Sequence, residues 1–375
     1  MKEPHQFSRR ILLVIIGKTP QIFTETLYKL SVKNTPLFIP TETHIITTKE
    51  GARSANLALL GVGKRHGEFH RFCADFGFTD IRFDSEHIHI IADTEGQFID
   101  DNQSTAHNKV ASDFITDKVR EFTLDDNSAL HLSLAGGRKT MSFYAGYALS
   151  LYGRMQDRLS HVLVNEPFQN NPDFFYPRPK PKRIEIGNTY YSTDEAQIIL
   201  SDIPYVRMRY QVPEGLLNGN AGFQATVDII QRFAQPETIE IDIVQKRLML
   251  NGMEVPMPNA DLAFYLWMCE RKKSGEPPLI PDEDAFVPDY LKVYGKIVSD
   301  WSGMYERAEE IAKNRDVDEQ KNWFQQRKSK VKKRIETVLG ERAAKPFLIQ
   351  TIERDGEAAY EVGVPALAMN IQTDE

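Results

Sequence analysis

The stretch Leu130-His131-Leu132-Ser133-Leu134-Ala135-Gly136-Gly137-Arg138-Lys139-Thr140-Met141-Ser142 decides how the rest of the chain is read. Leu130, Leu132 and Leu134 alternate at period two, as a strand does, and beyond Met141 the residues Phe143, Tyr144, Tyr147, Ala148 and Leu151 recur at helical spacing. Between them Gly136 and Gly137 allow positive φ and a close ligand approach, while free N–H groups at the helix start face whatever lies above the turn. Such a turn is expected to hold an anion. Arg138 and Lys139 point the same way, because cations at a helix N-terminus oppose the macrodipole unless an anion offsets them. The competing reading is a solvated loop that is merely basic. The run is not a Walker motif, and it lacks G-x-G-x-x-G.

A second tip of this kind lies near the start of the chain. Ile11 to Ile16 is a continuous apolar run, the pattern of a central parallel strand buried on both faces, and it ends at Gly17-Lys18-Thr19-Pro20-Gln21. An amphipathic helix follows through Ile22, Phe23, Thr26, Leu27 and Leu30, with Thr19 as expected N-cap and Pro20 at its first position. In an open α/β sheet the ligand crevice lies outside the strands' carboxyl ends, so two such tips can share one ligand.

Composition narrows the function classes. The 375 residues suffice for two domains, and 41% hydrophobic with 26% charged residues describes a soluble globular protein. A net charge of -7 argues against non-specific coating of nucleic acid, leaving only a local basic patch for such contact. Cys73 and Cys269 are isolated, which fits a reducing cytoplasm and offers no disulfide framework. Arg9-Arg10 before the apolar run does not make a signal peptide, since the run is short and lacks a small-residue cleavage site.

Further strands are expected at His44 to Thr48, near Glu86 to Ile91, and at Ser160 to Val164, with helices over Gly51 to Leu60 and Asp100 to Phe122. His87 and His89, two apart on one strand, could chelate a metal, but no third ligand is spaced to join them, so cross-strand packing is the preferred reading and no metal site is assigned. Phe174-Phe175-Tyr176-Pro177 either covers the sheet edge, the favoured reading, or stacks on a base. The first domain closes near residue 205, a linker follows over 206–236, and a second domain occupies 237–375.

That second domain opens with alternating runs at Thr238 to Asp242 and Arg247 to Leu250, with Asn251-Gly252 as the hairpin signal. Three helices are expected, the first after Met257-Pro258-Asn259, the second over Asp289 to Trp301 and the third over Asp318 to Leu339; Asp355-Gly356 then turns a closing hairpin. This layout resembles a winged helix-turn-helix of the response-regulator type. Arg327, Lys328, Lys330, Lys332, Lys333 and Arg334 crowd the third helix and are candidate DNA contacts, although basic third helices are also often plain solvated faces and winged helices also serve in dimerisation.

Gly17-Lys18-Thr19-Pro20-Gln21 with Thr24-Glu25-Thr26-Leu27, Thr47-Thr48, the Gly136 to Met141 turn and the Phe174 to Pro177 tail together resemble the CRISPR-associated Rossmann fold (CARF) proteins of type III systems, and among them the ring nucleases. The resemblance spans about the first two hundred residues, and CARF followed by a winged helix occurs in that family. The expected fold is therefore α/β, a Rossmann-like, mainly parallel sheet flanked by helices, followed by the winged helix-turn-helix domain.

What the resemblance implies is a homodimer that binds a cyclic oligoadenylate, most often cyclic tetra-adenylate, across its two-fold axis, and cuts it without metal or cofactor. Each ribose 2′-OH attacks its own 3′-phosphate and leaves a 2′,3′-cyclic phosphate. Lys139 matches the family's GG-x-K lysine and is the implied charge stabiliser; Thr19 falls where a small hydroxyl residue is common. Lys18 departs from the usual residue there, leaving open whether it assists the cut or only binds. Gly17, Lys18, Thr19, Gln21, Thr47, Thr48, Ser133, Gly136, Gly137, Arg138, Lys139, Thr140 and Met141 are the implied ligand contacts. No general base stands out, since His131 lies within a strand and His161 at a strand start. The rival reading is a ligand-sensing DNA-binding transcription regulator. An effector ribonuclease is a third, disfavoured because Arg-x-x-x-x-His is absent from the C-terminal half.

Overall fold

The computed structural model describes residues 2–63, 65–169, 171–219, 221–233, 236–281, 286–298, 306, 309–310 and 317–372. The chain divides into two compact units, Met1–Arg209 with Asn220–Gln224, and Tyr210–Gly219 with Ala225–Glu375.

In the first unit the strands of the central sheet are β1 (Arg9–Ile15), β2 (Glu42–Thr47), β3 (Ile88–Ile90), β4 (Ser128–Ser133), β5 (Arg158–Val164) and β6 (Ile198–Asp202). They form one sheet in the order β3-β2-β1-β4-β5-β6, parallel throughout except for β6, which pairs antiparallel with β5 at the edge. Strand order therefore reverses between β1 and β4, whose register runs from Arg9 opposite Ser128 to Val14 opposite Ser133. Ile11 to Ile16 are fully buried, and each such aliphatic side chain contributes about 1.5–3 kcal/mol of hydrophobic stabilisation. The expected α/β, mainly parallel sheet is thus present.

Helices α1 (Gln21–Tyr28), α2 (Lys49–Ala55), α3 (Glu68–Phe76), α4 (Thr105–Phe122) and α5 (Lys139–Tyr152) flank it. Three expectations change. Pro20, not Thr19, is the N-cap of α1, and no side chain caps it, so the Thr19 hydroxyl is not spent on the helix. That helix is not amphipathic, because seven of its eight residues are buried. And α4 begins at Thr105 rather than Asp100, since the Ser104 side chain accepts the His107 N–H at 3.0 Å and fixes the start there. Residues 100–104 are thereby left as a loop.

The Phe174 to Pro177 tail does not simply cover the sheet edge. Phe174 and Tyr176 are buried, Tyr176 meets Phe72 and Phe76 of α3, and its hydroxyl donates to Asp75 at 3.0 Å, while the Thr24 hydroxyl of α1 donates to the Phe175 carbonyl. These rings are core, which leaves Phe174 and Tyr176 no face for a base. Nor is 206–236 bare linker, for it carries helices at Glu214–Leu217 and Phe223–Phe233; Asn220, Ala234 and Gln235 lie outside the described residues.

The second unit has strands β7 (Ile239–Asp242), β8 (Arg247–Leu250) and β9 (Met253–Glu254), helices α6 (Asn259–Lys273), α7 (Val287–Ile297) and α8 (Val317–Leu339), the hairpin β10 (Ile349–Arg354) and β11 (Glu357–Val362), and a last strand β12 (Met369–Gln372) parallel to β7. Asn251-Gly252, both at positive φ, turns β8 into β9 rather than β7 into β8. The end expected for the second helix, at Trp301, lies outside the described residues. Trp267, Tyr265, Phe264, Tyr290 and Phe324 fill the core between the helices.

One buried ion pair ties the amino ends of β4 and β5. The Asp157 carboxylate is fully buried and accepts from the Leu130 N–H at 2.9 Å, the Arg154 N–H at 2.7 Å and the Arg154 guanidinium at 2.9 and 3.0 Å. Removing one partner strands the other charge in the interior. Asp157→Ala is therefore expected to cost about 3–5 kcal/mol in urea denaturation; a loss below about 1 kcal/mol would contradict this account.

Candidate functional site

The crevice at the carboxyl ends of β1 and β4 sits where strand order reverses, the position at which open α/β sheets take ligands. It is a cleft of about 460 Å³ lined by Gly17, Lys18, Thr19 and Ile22 of the first tip, Thr48 after β2, Asp101 of the loop before α4, and the Ala135 to Arg138 turn with Met141.

Glycines decide its shape. Gly137 has φ +80°, as the sequence led one to expect, but Gly136 does not need positive φ. Gly136 is required by proximity instead, since a Cβ there would lie 3.0 Å from the Ile15 carbonyl oxygen and 3.2 Å from the Ile16 Cα. A Cβ on Gly17 would lie 3.2 Å from the Gly137 Cα. The two tips therefore touch backbone to backbone, and the cleft floor is peptide rather than side chain.

Charges around the cleft are mostly paired. Arg138 donates to Asp101 through Nη2 at 2.6 Å and Nε at 3.2 Å, and this guanidinium holds the Asp101 carboxyl well below the usual carboxylate range. Lys18 forms an ion pair with Glu50, which raises its pKa. Lys139, at the first position of α5, is exposed and makes no ion pair among the described residues. The first turn of α5 also leaves the N–H groups of Lys139 and Thr140 without an intrahelical acceptor, whereas the Met141 N–H is taken by the Arg138 carbonyl.

The structure thus gathers Gly17, Lys18, Thr19, Thr48, Gly136, Gly137, Arg138 and Met141 along one cleft. Lys139 and Thr140 adjoin it without lining it. Three expected contacts point elsewhere: the Gln21 amide donates to the Pro172 carbonyl at 3.1 Å, Ser133 is buried with its hydroxyl 3.3 Å from that of Thr26, and Thr47 is buried under α2. Their positions in sequence at the tips said nothing about which face each side chain would take. Asp101 and Glu50, which hold the cations, were missed by the sequence reading; the acidic run Asp100-Asp101 was its only trace, read there as a helix start.

No histidine lines the cleft. His131 is buried in β4, its Nε2 is 2.7 Å from the Ser160 hydroxyl, and burial lowers its pKa to about 3, so it is neutral. No described helix is long and apolar enough to cross a membrane.

On α8 the six basic residues are not equivalent. Arg327 is paired with Asp261 at 2.9 Å, and Lys328 lies over the Tyr360 ring at 4.2 Å and donates to the Thr351 hydroxyl at 3.0 Å. Lys330, Lys332, Lys333 and Arg334 are exposed, Lys332 with Glu336 at 3.6 Å one turn along the helix.

Comparison with known proteins adds a family. No curated protein sequence matches the chain. Among solved structures, one similarity is to Enterococcus italicus Csm6 bound to cyclic hexa-2′-fluoro-hexa-dAMP, at 12% identity and a TM-score of 0.24, over 82% of this chain and 52% of that one. This chain thus spans about half the length of that structure. The model of the family described as CRISPR-associated protein NE0113 matches residues 19–236, a stretch that starts at Thr19 of the first tip, holds the Gly136-Gly137 turn and makes up more than half of the chain. The chain therefore belongs to the CRISPR-associated protein NE0113 family.

Proposed function

We propose that this protein is a ring nuclease, a homodimer that binds a cyclic oligoadenylate, with cyclic tetra-adenylate as the first candidate, and opens it without metal. The observation that carries the reading is the peptide-floored cleft at the β1/β4 switch point, bordered by Lys18, Thr19, Arg138 and the N-terminus of α5. That environment suits phosphates. Membership of a CRISPR-associated family and the cyclic oligoadenylate analogue bound by the Enterococcus italicus Csm6 agree with such a ligand.

In the proposed reaction the ribose 2′-oxygen bonds to the adjacent phosphorus as the bond to the 5′-oxygen breaks, giving a 2′,3′-cyclic phosphate and a 5′-hydroxyl. The 2′-OH proton leaves and the 5′-oxygen takes one up, so no external reactant is needed. The protein's part is to hold the three atoms in line and to place positive charge beside the phosphorane. Lys139 suits that second part because no carboxylate holds its ammonium among the described residues. Arg138 must first exchange Asp101 for a phosphate, and Lys18 must likewise leave Glu50. A two-fold dimer would present each tip twice to a ring that is itself two-fold symmetric.

A second reading, a ligand-sensing DNA-binding regulator acting through a winged helix in the second unit, draws support from the four exposed cations on α8. Incubation of radiolabelled cyclic tetra-adenylate with the full chain separates the two. Conversion to linear products ending in 2′,3′-cyclic phosphate supports the nuclease; an intact ring together with tight binding of one defined DNA supports the regulator.

Three outcomes are expected. Lys139→Ala keeps the fold and loses about 10²- to 10³-fold in single-turnover cleavage, with Thr19→Ala costing less; a Lys139→Ala rate within about threefold of the parent rules out this role. Cleavage continues in excess EDTA, because the polar groups around the cleft are cations, hydroxyls and peptide, and the two carboxylates there, Asp101 and Glu50, are already held by Arg138 and Lys18; loss in chelator with recovery on adding magnesium would contradict it. Any DNA binding is weak and salt-sensitive, with a log-log slope no steeper than about −3.6 for four phosphate contacts, where six free cations would give about −5.4.

A further inference from the structure

At the opposite end of the sheet from the cleft, three residues from two distant stretches of the chain converge. Glu42 and His44 stand at the amino end of β2, and His87 lies in the turn that leads into β3. One ligand atom from each lies within 4.8 Å of the others. The sequence alone offered only His87 and His89, with no third group spaced to join them. The structure supplies two, because the parallel pairing of β2 with β3 sets Ile45 opposite Ile88 and so brings the histidines of both strands together.

We propose that Glu42, His44 and His87 form a binding site for a first-row divalent cation of the zinc class. Two imidazoles and one carboxylate are a donor set that zinc takes in protein sites. The hydrogen bonding around them fits ligation. The Nε2 of His44 is buried, 3.7 Å from the Glu42 Oε2, and has no hydrogen-bond partner, although the side chain is nine-tenths buried. A buried imidazole nitrogen without a partner carries a desolvation cost that a metal ion would remove. Its other nitrogen, Nδ1, is 3.1 Å from His89 Nε2, and the Nδ1 of His87 is 2.8 Å from the Asp84 carboxylate. Metal-binding histidines are commonly oriented in this way, the far ring nitrogen donating to a carboxylate or another acceptor. His44 and His89 also pack on Phe122 at the end of α4, which fixes both rings.

Two features define the cost. Ligand atoms around one tetrahedral ion sit roughly 3.4 Å apart, so the three groups must close by about 1 Å. Glu42 is also held by Arg9 at 2.5 Å through Oε1 and by Arg82 at 2.9 Å through Oε2. Oε2 is the oxygen nearer His44, and the Arg82 side chain is 65% exposed, so it can swing into water while Arg9 keeps Oε1. The ion would join the short edge strand β3 to β2. From Glu42 to Thr48 the chain runs about 20 Å along the strand, so the site is separate from the cleft, and its occupancy is read by metal binding rather than by ring cleavage.

The test is titration of zinc, and of cobalt(II) as a spectroscopic probe, into the tag-free, EDTA-stripped full chain. The expected result is one equivalent bound per chain, visible ligand-field absorption for cobalt(II), and a higher thermal midpoint with zinc. His87→Gln, in a surface turn, should weaken zinc binding about 100-fold or more while circular dichroism stays unchanged. Arg82→Ala should tighten it, because the competing cation is gone. His161→Gln serves as control and should bind as the parent does. Absence of saturable binding, or binding that His87→Gln leaves unaltered, overturns the proposal and returns the cluster to stacked imidazoles in a packed sheet end.

Discussion

The contact on which the first unit depends is the backbone-to-backbone meeting of the β1 and β4 tips. Gly17 lies against Gly137, and Gly136 against the end of β1, so closely that a Cβ at either glycine would sit 3.0–3.2 Å from backbone atoms of the other tip. Parallel pairing from Arg9 opposite Ser128 to Val14 opposite Ser133 aligns the strands so that both turns arrive at the same height. Because strand order reverses at this seam, the helices that follow, α1 and α5, leave from neighbouring strands and open a crevice between them. A side chain at Gly17 or Gly136 would make the facing backbone give by a few tenths of an ångström, and at Gly137 it is the positive φ that favours glycine.

Electrostatics at the cleft are held in reserve rather than left open. Asp101 occupies Arg138, and Glu50 occupies Lys18, so two of the three tip cations are neutralised, one by a half-buried carboxylate and one by an exposed one. The exposed Lys18–Glu50 pair is worth little, so a phosphate can displace Glu50 at small cost, whereas the bidentate Arg138–Asp101 pair is held more firmly. Lys139 stands apart from this arrangement, exposed at a helix N-terminus where the dipole already favours an anion.

The sheet thus has two chemically different ends. Carboxyl ends carry glycines, cations and hydroxyls, suited to an anionic ligand. Amino ends carry the buried Arg154–Asp157 pair and the Glu42, His44, His87 cluster, both of which link neighbouring strands through polar groups in the interior. Burial makes such groups decisive for which strands pair, since each left without its partner would be costly.

By itself the sequence determined the elements and the place of the cleft. Period-two and period-3.6 patterns around Leu130 to Leu151, and the apolar run Ile11 to Ile16, fix strand, turn and helix by local chemistry, and glycines at both turns mark where backbone must come close. Tertiary structure decided which side chains at those turns face the ligand. Gln21, Thr47 and Ser133 turn into the core although they are neighbours in sequence of residues that line the cleft, because orientation follows from packing against distant segments such as Pro172 and Thr26. It also decided where the cations' partners lie, Asp101 reaching Arg138 from the loop that precedes the Ser104 cap of α4. The Glu42, His44 and His87 cluster was invisible for the same reason: periodicity reports on neighbours along the chain, whereas strand register across the sheet sets which side chains meet.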